Sequence, residues 1–149
     1  MNAYSREMVA TWVDMDMNAH MRNTAYLDKA GDLRLFYFED HGYSVADFAR
    51  EGFGPVILRE ELDYQREIGL MERYILSLEL VGMSPGGERF SIRNLFSKLD
   101  GRSAGRVLSA GGWLDFQTRK FRRPPDGLLR AIESMPRASD FRFLDLFGS

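Results

Sequence analysis

Apolar positions along this chain follow two periods, one after the other. Over Thr24–Asp40 (TAYLDKAGDLRLFYFED), Tyr26, Leu27, Ala30, Leu33, Phe36 and Tyr37 recur at three- and four-residue steps, the mark of an amphipathic helix. Leu35 and Phe38 widen the stripe, which predicts a helix buried on most sides. Asn23 or Thr24 can cap its start and Gly42 can end it. A short second helix is expected at Ser44–Glu51, with Ser44 as cap and Gly52 as stop. From Gly54 to about Phe121 the period drops to two, the spacing of half-buried strands. Val56, Leu58, Leu62 and Tyr64 share one face of Pro55–Gln65, with Arg59, Glu61, Asp63 and Gln65 on the other. Tyr74, Leu76, Leu78 and Leu80 line up in the next strand, Tyr74–Met83, and Phe90, Ile92 and Phe96 in the one after. The turn Ser84–Gly87 (SPGG) joins these two as a hairpin. Asp100-Gly101 ends the second of them, and Val107–Phe116 is the last strand, bent at Gly111-Gly112.

The flanks complete the outline. Arg6–Val13 (REMVATWV) is apolar and β-branched and reads as a first strand. Pro124-Pro125 stops the sheet, and Asp126–Ser134 makes a short helix. The tail Phe141–Phe147 (FRFLDLF) is too apolar to float in water, so it covers either its own sheet or a subunit interface. One early strand, a long helix and an antiparallel meander predict an α+β fold: a sheet of about five strands wrapped around a central helix. Residues 1–149 are expected to form one domain, with 136–149 as a C-terminal tail.

Composition narrows the chemistry. Lys and Arg number 20 against 22 Asp and Glu, so no basic field suited to nucleic acid exists. The absence of cysteine excludes disulfides, thiolate catalysis and Cys-based metal sites, and the only two histidines are His20 and His41. No metal and no other cofactor is therefore expected. The N-terminus has no apolar signal-like core, and no apolar run approaches the roughly 18 residues of a spanning helix. A cytoplasmic protein is the expectation.

Candidate chemistry collects in residues 14–26, DMDMNAHMRNTAY. Aspartate, asparagine and histidine stand together in a loop that leads into the predicted helix, whose start offers free N–H groups and positive dipole potential. Such a place can polarise a carbonyl oxygen while a neighbouring carboxylate attacks or activates water. Ordinary turn and cap chemistry would also use Asp14, Asp16, Asn18 and Asn23, with His20 a half-buried bystander. The pattern Asp14, Asp16, Asn18, His20, Asn23, Tyr26 resembles the signature of hotdog-fold acyl thioesterases, both the 4-hydroxybenzoyl-CoA thioesterase-like and the acyl-carrier-protein branches. The run Glu60-Glu61-Leu62-Asp63-Tyr64 resembles the family's second strand, and the strand order matches over roughly residues 6–135.

The resemblance implies hydrolysis of an acyl-CoA or acyl-carrier thioester by a homodimer or homotetramer. Asp16 would be the catalytic carboxylate, as nucleophile or as general base, with Asn18 and His20 orienting the site. The Asn23 N–H would meet the thioester oxygen, and Asp14 would be scaffolding. Tyr26 would contribute to substrate binding, although core packing explains it equally. The only downstream acid in line for a role is Glu60, on the otherwise apolar face of its strand; an edge glutamate with its own partner is the alternative. Met8, Met15, Met17, Met21 and Met71 would form an adaptable acyl wall. Arg119, Lys120, Arg122 and Arg123 either meet nucleotide phosphates or end a strand in solvent. Between the second and third strands this chain reads Arg66-Glu67-Ile68-Gly69-Leu70-Met71-Glu72, where many relatives have Pro and then Gly-Asp, so substrate class cannot be inherited. Two other readings stay open: a non-catalytic acyl-binding or interaction protein of the same fold, and an enoyl-CoA hydratase. The hydratase motif, similar to Asp-x-Asn-Pro-x-His, is the poorer match, because His20 follows Asp16 by four residues and no proline intervenes.

Overall fold

A computed structural model describes residues 3–145. Its elements are β1 (Tyr4–Val9), α1 (Asn23–Asp40), α2 (Val45–Glu51), β2 (Phe53–Tyr64), β3 (Arg73–Met83), β4 (Arg89–Lys98), β5 (Ser103–Asp115), β6 (Lys120–Phe121), α3 (Asp126–Glu133) and β7 (Arg137–Phe143). The sheet runs in the order β1-β3-β4-β5-β2, all antiparallel, with β6 added on β5 and β7 on β3. Ala25, Tyr26, Ala30, Leu33, Tyr37 and Phe38 of α1 are buried in one core with Tyr74, Leu76, Leu78 and Leu80 of β3 and Phe90, Ile92 and Phe96 of β4. Asp28, Asp32, Glu39 and Asp40 of α1 remain exposed, so the helix buries one broad face and not most of its circumference. α3 closes one end, and the buried Tyr37 hydroxyl donates to the Ala131 carbonyl (2.7 Å).

The predicted helix stops hold: Ser44 caps α2 by accepting from the Asp47 N–H, and Gly42 and Gly52 take positive φ just past their helices. The start of α1 differs from expectation. Arg22, not Asn23 or Thr24, occupies the cap position, and no side chain caps the first turn. The Arg22 guanidinium is committed to the Val13 carbonyl and the Thr24 hydroxyl, which takes Thr24 out of the capping role.

Four further departures have local causes. β1 begins at Tyr4 and ends at Val9, because Thr11 donates its N–H and hydroxyl to the Asp14 carboxylate and folds Trp12–Asp14 into a 3-10 turn. β2 carries a bulge at Leu58, which resets the period-two pattern: Ile57 and Leu62 pack on the core while Leu58 is 55% exposed. Gly111, opposite that bulge, serves close approach more than bending, since a Cβ there would lie 2.0 Å from the Val56 carbonyl oxygen. Residues 137–143 of the predicted tail extend the sheet by pairing in parallel with β3. Gly82 permits that approach, because a Cβ would meet Leu144 at 2.8 Å, and Arg93 bridges Glu79 and Asp140 across it (2.9 Å each). Leu146 and Phe147 lie outside the described residues.

Candidate active site

The loop between β1 and α1 is held from both ends. Asp14 is only 3% exposed; one carboxylate oxygen accepts from Thr11, the other lies 3.6 Å from the Lys29 ammonium on α1, and its carbonyl accepts from the Arg22 N–H (2.8 Å). Its work is to fasten the loop to the helix. Asp16, two residues on, closes a tight turn: its Oδ1 accepts the N–H groups of Asn18 (2.8 Å) and His20 (3.1 Å), while its own N–H donates to the His20 carbonyl (2.8 Å). Ala19 takes φ +59° to complete the turn. The N–H donors of His20 and Asn18 hold the Asp16 carboxyl below the usual aspartate range, so it is ionised at neutral pH. Oδ2 makes no hydrogen bond among the described residues.

A second segment, the connection from β2 to β3, closes over this turn. His20 forms a bridge with Gly69, and the Met21 N–H donates to the carbonyl of the buried Ile68 (2.7 Å). The His20 Nε2 thereby comes within 3.2 Å of the Glu67 carboxylate. Asp16, His20, Asn23, Tyr26, Tyr64 and Glu67 are among the residues lining a cleft of about 420 Å³ at the start of α1. Tyr26 forms its inner wall, 1% exposed and edge-on to Tyr64 (centroids 5.5 Å apart), and burial pushes its hydroxyl up to about 12. With no cap on α1, the N–H groups of Asn23 and Thr24 have no hydrogen-bond partner among the described residues.

Four of the six residues singled out from sequence thus meet in one cleft: Asp16, His20, Asn23 and Tyr26. Asn18 reaches Asp16 through its backbone N–H. Glu60 does not join them; its carboxylate accepts from the Ser109 hydroxyl (3.0 Å) and stands 4.0 Å from the Arg34 guanidinium, deeper along α1. The bulge at Leu58 is what turns it toward the helix side. The methionine wall is not assembled: Met21 lines the cleft, but Met17 is fully exposed and Met71 largely so. Of the basic run, Arg122 lies beside Asp115 (3.6 Å) and the Thr118 hydroxyl (3.2 Å) at an exposed strand end. Sequence reasoning missed Glu67, whose place beside His20 depends on a pairing between segments about fifty residues apart and left no mark in local spacing.

A family model described as the thioesterase-like superfamily matches residues 10–132. The chain belongs to the thioesterase-like superfamily. Solved structures agree on the architecture. A Staphylococcus aureus protein solved in complex with CoA is 18% identical, covering 93% of this chain and 89% of its own, with a TM-score of 0.81. A 1,4-dihydroxy-2-naphthoyl-CoA thioesterase from Synechocystis is 13% identical (89% and 97% covered, TM-score 0.79). The dynemicin thioesterase is 15% identical (93% and 100% covered, TM-score 0.79). A comparison with curated proteins finds no match. The fold of this superfamily member is therefore the hotdog fold, a curled antiparallel sheet around a central helix, as the resemblance implied. Its family membership supports thioester hydrolysis as the general chemistry. No helix among the described residues is long and apolar enough to cross a membrane.

Proposed function

We propose that the protein hydrolyses an acyl thioester, with CoA as the thiol, at the cleft where α1 begins. The observation that carries this reading is the Asp16 carboxylate: one oxygen tied down by two N–H groups, the other without a partner among the described residues, beside an uncapped helix start. An ionised carboxylate needs no metal or thiol to act on a thioester, whose carbonyl carries little resonance stabilisation. In the general-base form Asp16 takes a proton from water as the water oxygen adds to the carbonyl carbon. The N–H of Asn23 stabilises the oxyanion, which collapses to the free acid, and the departing thiolate takes up the proton held by Asp16. In the nucleophilic form Asp16 itself adds, expels the thiolate, and water hydrolyses the resulting anhydride. An oxyanion donor contributes about 10²–10³ in rate, and a positioned base roughly 10²–10⁴. His20, oriented by Glu67, serves as positioning residue for water. The CoA complex of the S. aureus structure supports CoA as the thiol. We further assign the working unit as a homodimer, because the twelve-residue β2 is an end strand of the sheet with one edge unpaired among the described residues.

Release of free thiol from a panel of acyl-CoA and acyl-carrier substrates, with native protein and with Asp16→Asn, tests the reading. Asparagine keeps the Oδ1 acceptor for the two N–H donors but cannot act as base or nucleophile. Hydrolysis that survives in Asp16→Asn removes Asp16 from the mechanism. No thiol release from any substrate favours the binding-protein reading, and loss of the enoyl absorbance of crotonyl-CoA without thiol release favours the hydratase.

A further inference from the structure

The outer face of the sheet, turned away from α1, carries a groove of about 300 Å³ that runs from β2 across β5 and β4 to β3. Strand register explains its shape. Arg59 on β2 lies opposite Ala110 on β5, Ala110 opposite Ser91 on β4, Ser91 opposite Gly82 on β3, and Gly82 opposite Arg142 on β7. Side chains paired across a sheet share a face, and Phe90 and Ile92, on either side of Ser91, are the ones buried in the core with α1. The row therefore has an arginine at each end and three small residues between them, across roughly 19 Å at the usual strand spacing. Glycines leave room that other groups line: Leu144 lies over Gly82 and Phe121 over Gly112, where a Cβ would meet them at 2.8 and 2.9 Å. Leu58, Val81 and Leu108 make the rest of the floor apolar.

Charge is uneven in this groove. Arg59, Arg89 and Arg142 line it with a single carboxylate, that of Glu61. Arg59 stands 3.3 Å from Glu61, whereas Arg89 and Arg142 have no ion-pair partner among the described residues. The Arg89 guanidinium is held over the Phe121 ring, 5.1 Å from its centroid, which restricts it without neutralising it. The chain as a whole carries a net charge of −2, so this cationic excess is local and not the general charge of the surface. Solvated arginines on a strand face need no ligand. Here they ring an exposed apolar floor, and that combination can recognise an apolar body and an anionic head together.

Desolvation chooses the head group. Water screens charge left over at an open groove, so full neutrality is not required. A carboxylate costs less to strip of water than a phosphate dianion, and its two oxygens match the planar donor fork of arginine. We propose that this groove binds a small organic monoanion, an apolar body bearing one carboxylate that accepts from Arg89 and Arg142. The assignment rests on these residues alone and does not depend on thioester hydrolysis.

Three probes of related shape, 2-naphthoate, its neutral amide and 2-naphthyl phosphate, titrated calorimetrically into the full chain, test it. At about 0.01 M salt the native protein should bind 2-naphthoate about tenfold or more tightly than the amide, as expected for hydrogen bonds from charged donors, and the preference should shrink at about 1 M. Arg89→Gln/Arg142→Gln should abolish the preference, and Ala110→Trp, which fills the floor, should weaken acid and amide alike. Binding in the Asp16 cleft is distinguishable, because it would persist in both groove variants and the ionised Asp16 would favour the amide. Equal affinity for acid and amide, tighter binding of the phosphate, a preference surviving in the double variant, or no binding of any probe to the native protein would overturn the assignment. The probe comparison in the native chain stands even where a variant folds poorly.

Discussion

The two ends of α1 arrange their hydrogen bonds in opposite ways. At its start, hydrogen-bond capacity comes mainly from the backbone: Asp16 is held by the N–H groups of Asn18 and His20, and the first N–H groups of the helix have no partner among the described residues. In its second half, it comes from side chains that meet across the interior, Arg34 with Asn94 and Ser109, which lie sixty and seventy-five residues away. Backbone donors cannot be mutated away and hold a rigid geometry, which suits a group that must stay ionised and aimed. Side-chain donors can be exchanged one at a time, which makes the contacts of Arg34 open to substitution in a way the Asp16 turn is not.

Substitutions that strike one end and spare the other sharpen this contrast. The largest effect is expected from Asp16→Asn, with thioester hydrolysis falling about 10²–10⁴-fold and the melting temperature nearly unchanged; a large melting shift would mean that the turn, not the chemistry, had been lost. Leu33→Ala, between the two ends on the buried face, should cost about 2–5 kcal/mol in urea unfolding. Loss of activity without loss of stability there would join the two ends more closely than their separation suggests. Arg34→Met alone should cost about 1–3 kcal/mol, because it leaves the half-buried Glu60 without its cation, and pairing it with Glu60→Gln should recover part of that. His20→Ala and Glu67→Gln should lower hydrolysis by similar, smaller factors, on the order of tenfold, if Glu67 acts only by orienting the imidazole; unequal losses would separate them. The smallest effect is with pH. The Asp16 carboxyl lies below its ordinary value when folded, so what it contributes to stability is present above the unfolded value and disappears only as pH falls through the folded one. Hydrolysis should therefore lose no rate to protonation of Asp16 between pH 7 and roughly pH 5, and a profile falling in that window would assign the controlling group elsewhere.

Much of the first end is legible in the order of residues. Asp14, Asp16 and His20 act within a few residues of one another, so spacing alone brings them together. The second end is not legible in the same way. Glu60 stands out as an acid on an apolar face, but spacing does not reveal its partner, because Arg34 reads as an ordinary polar position in a helix. The bulge at Leu58 escapes for a related reason: an inserted residue reverses which face every later side chain occupies, and only the partner strand records the insertion. Gly111 and Gly82 signal that something comes close, without saying that one meets Val56 and the other Leu144.

From its own order of residues this chain determined the helix and its stops, the inward faces of β3 and β4, the hairpins, and the turn that holds Asp16, because each depends on interactions a few residues long or on a fixed period. The tertiary structure alone decided that Glu67 faces His20, that Glu60 faces Arg34, and that residues 137–143 become a strand beside β3. Those pairings join segments far apart in the chain, and their geometry exists only once the sheet has closed around the helix.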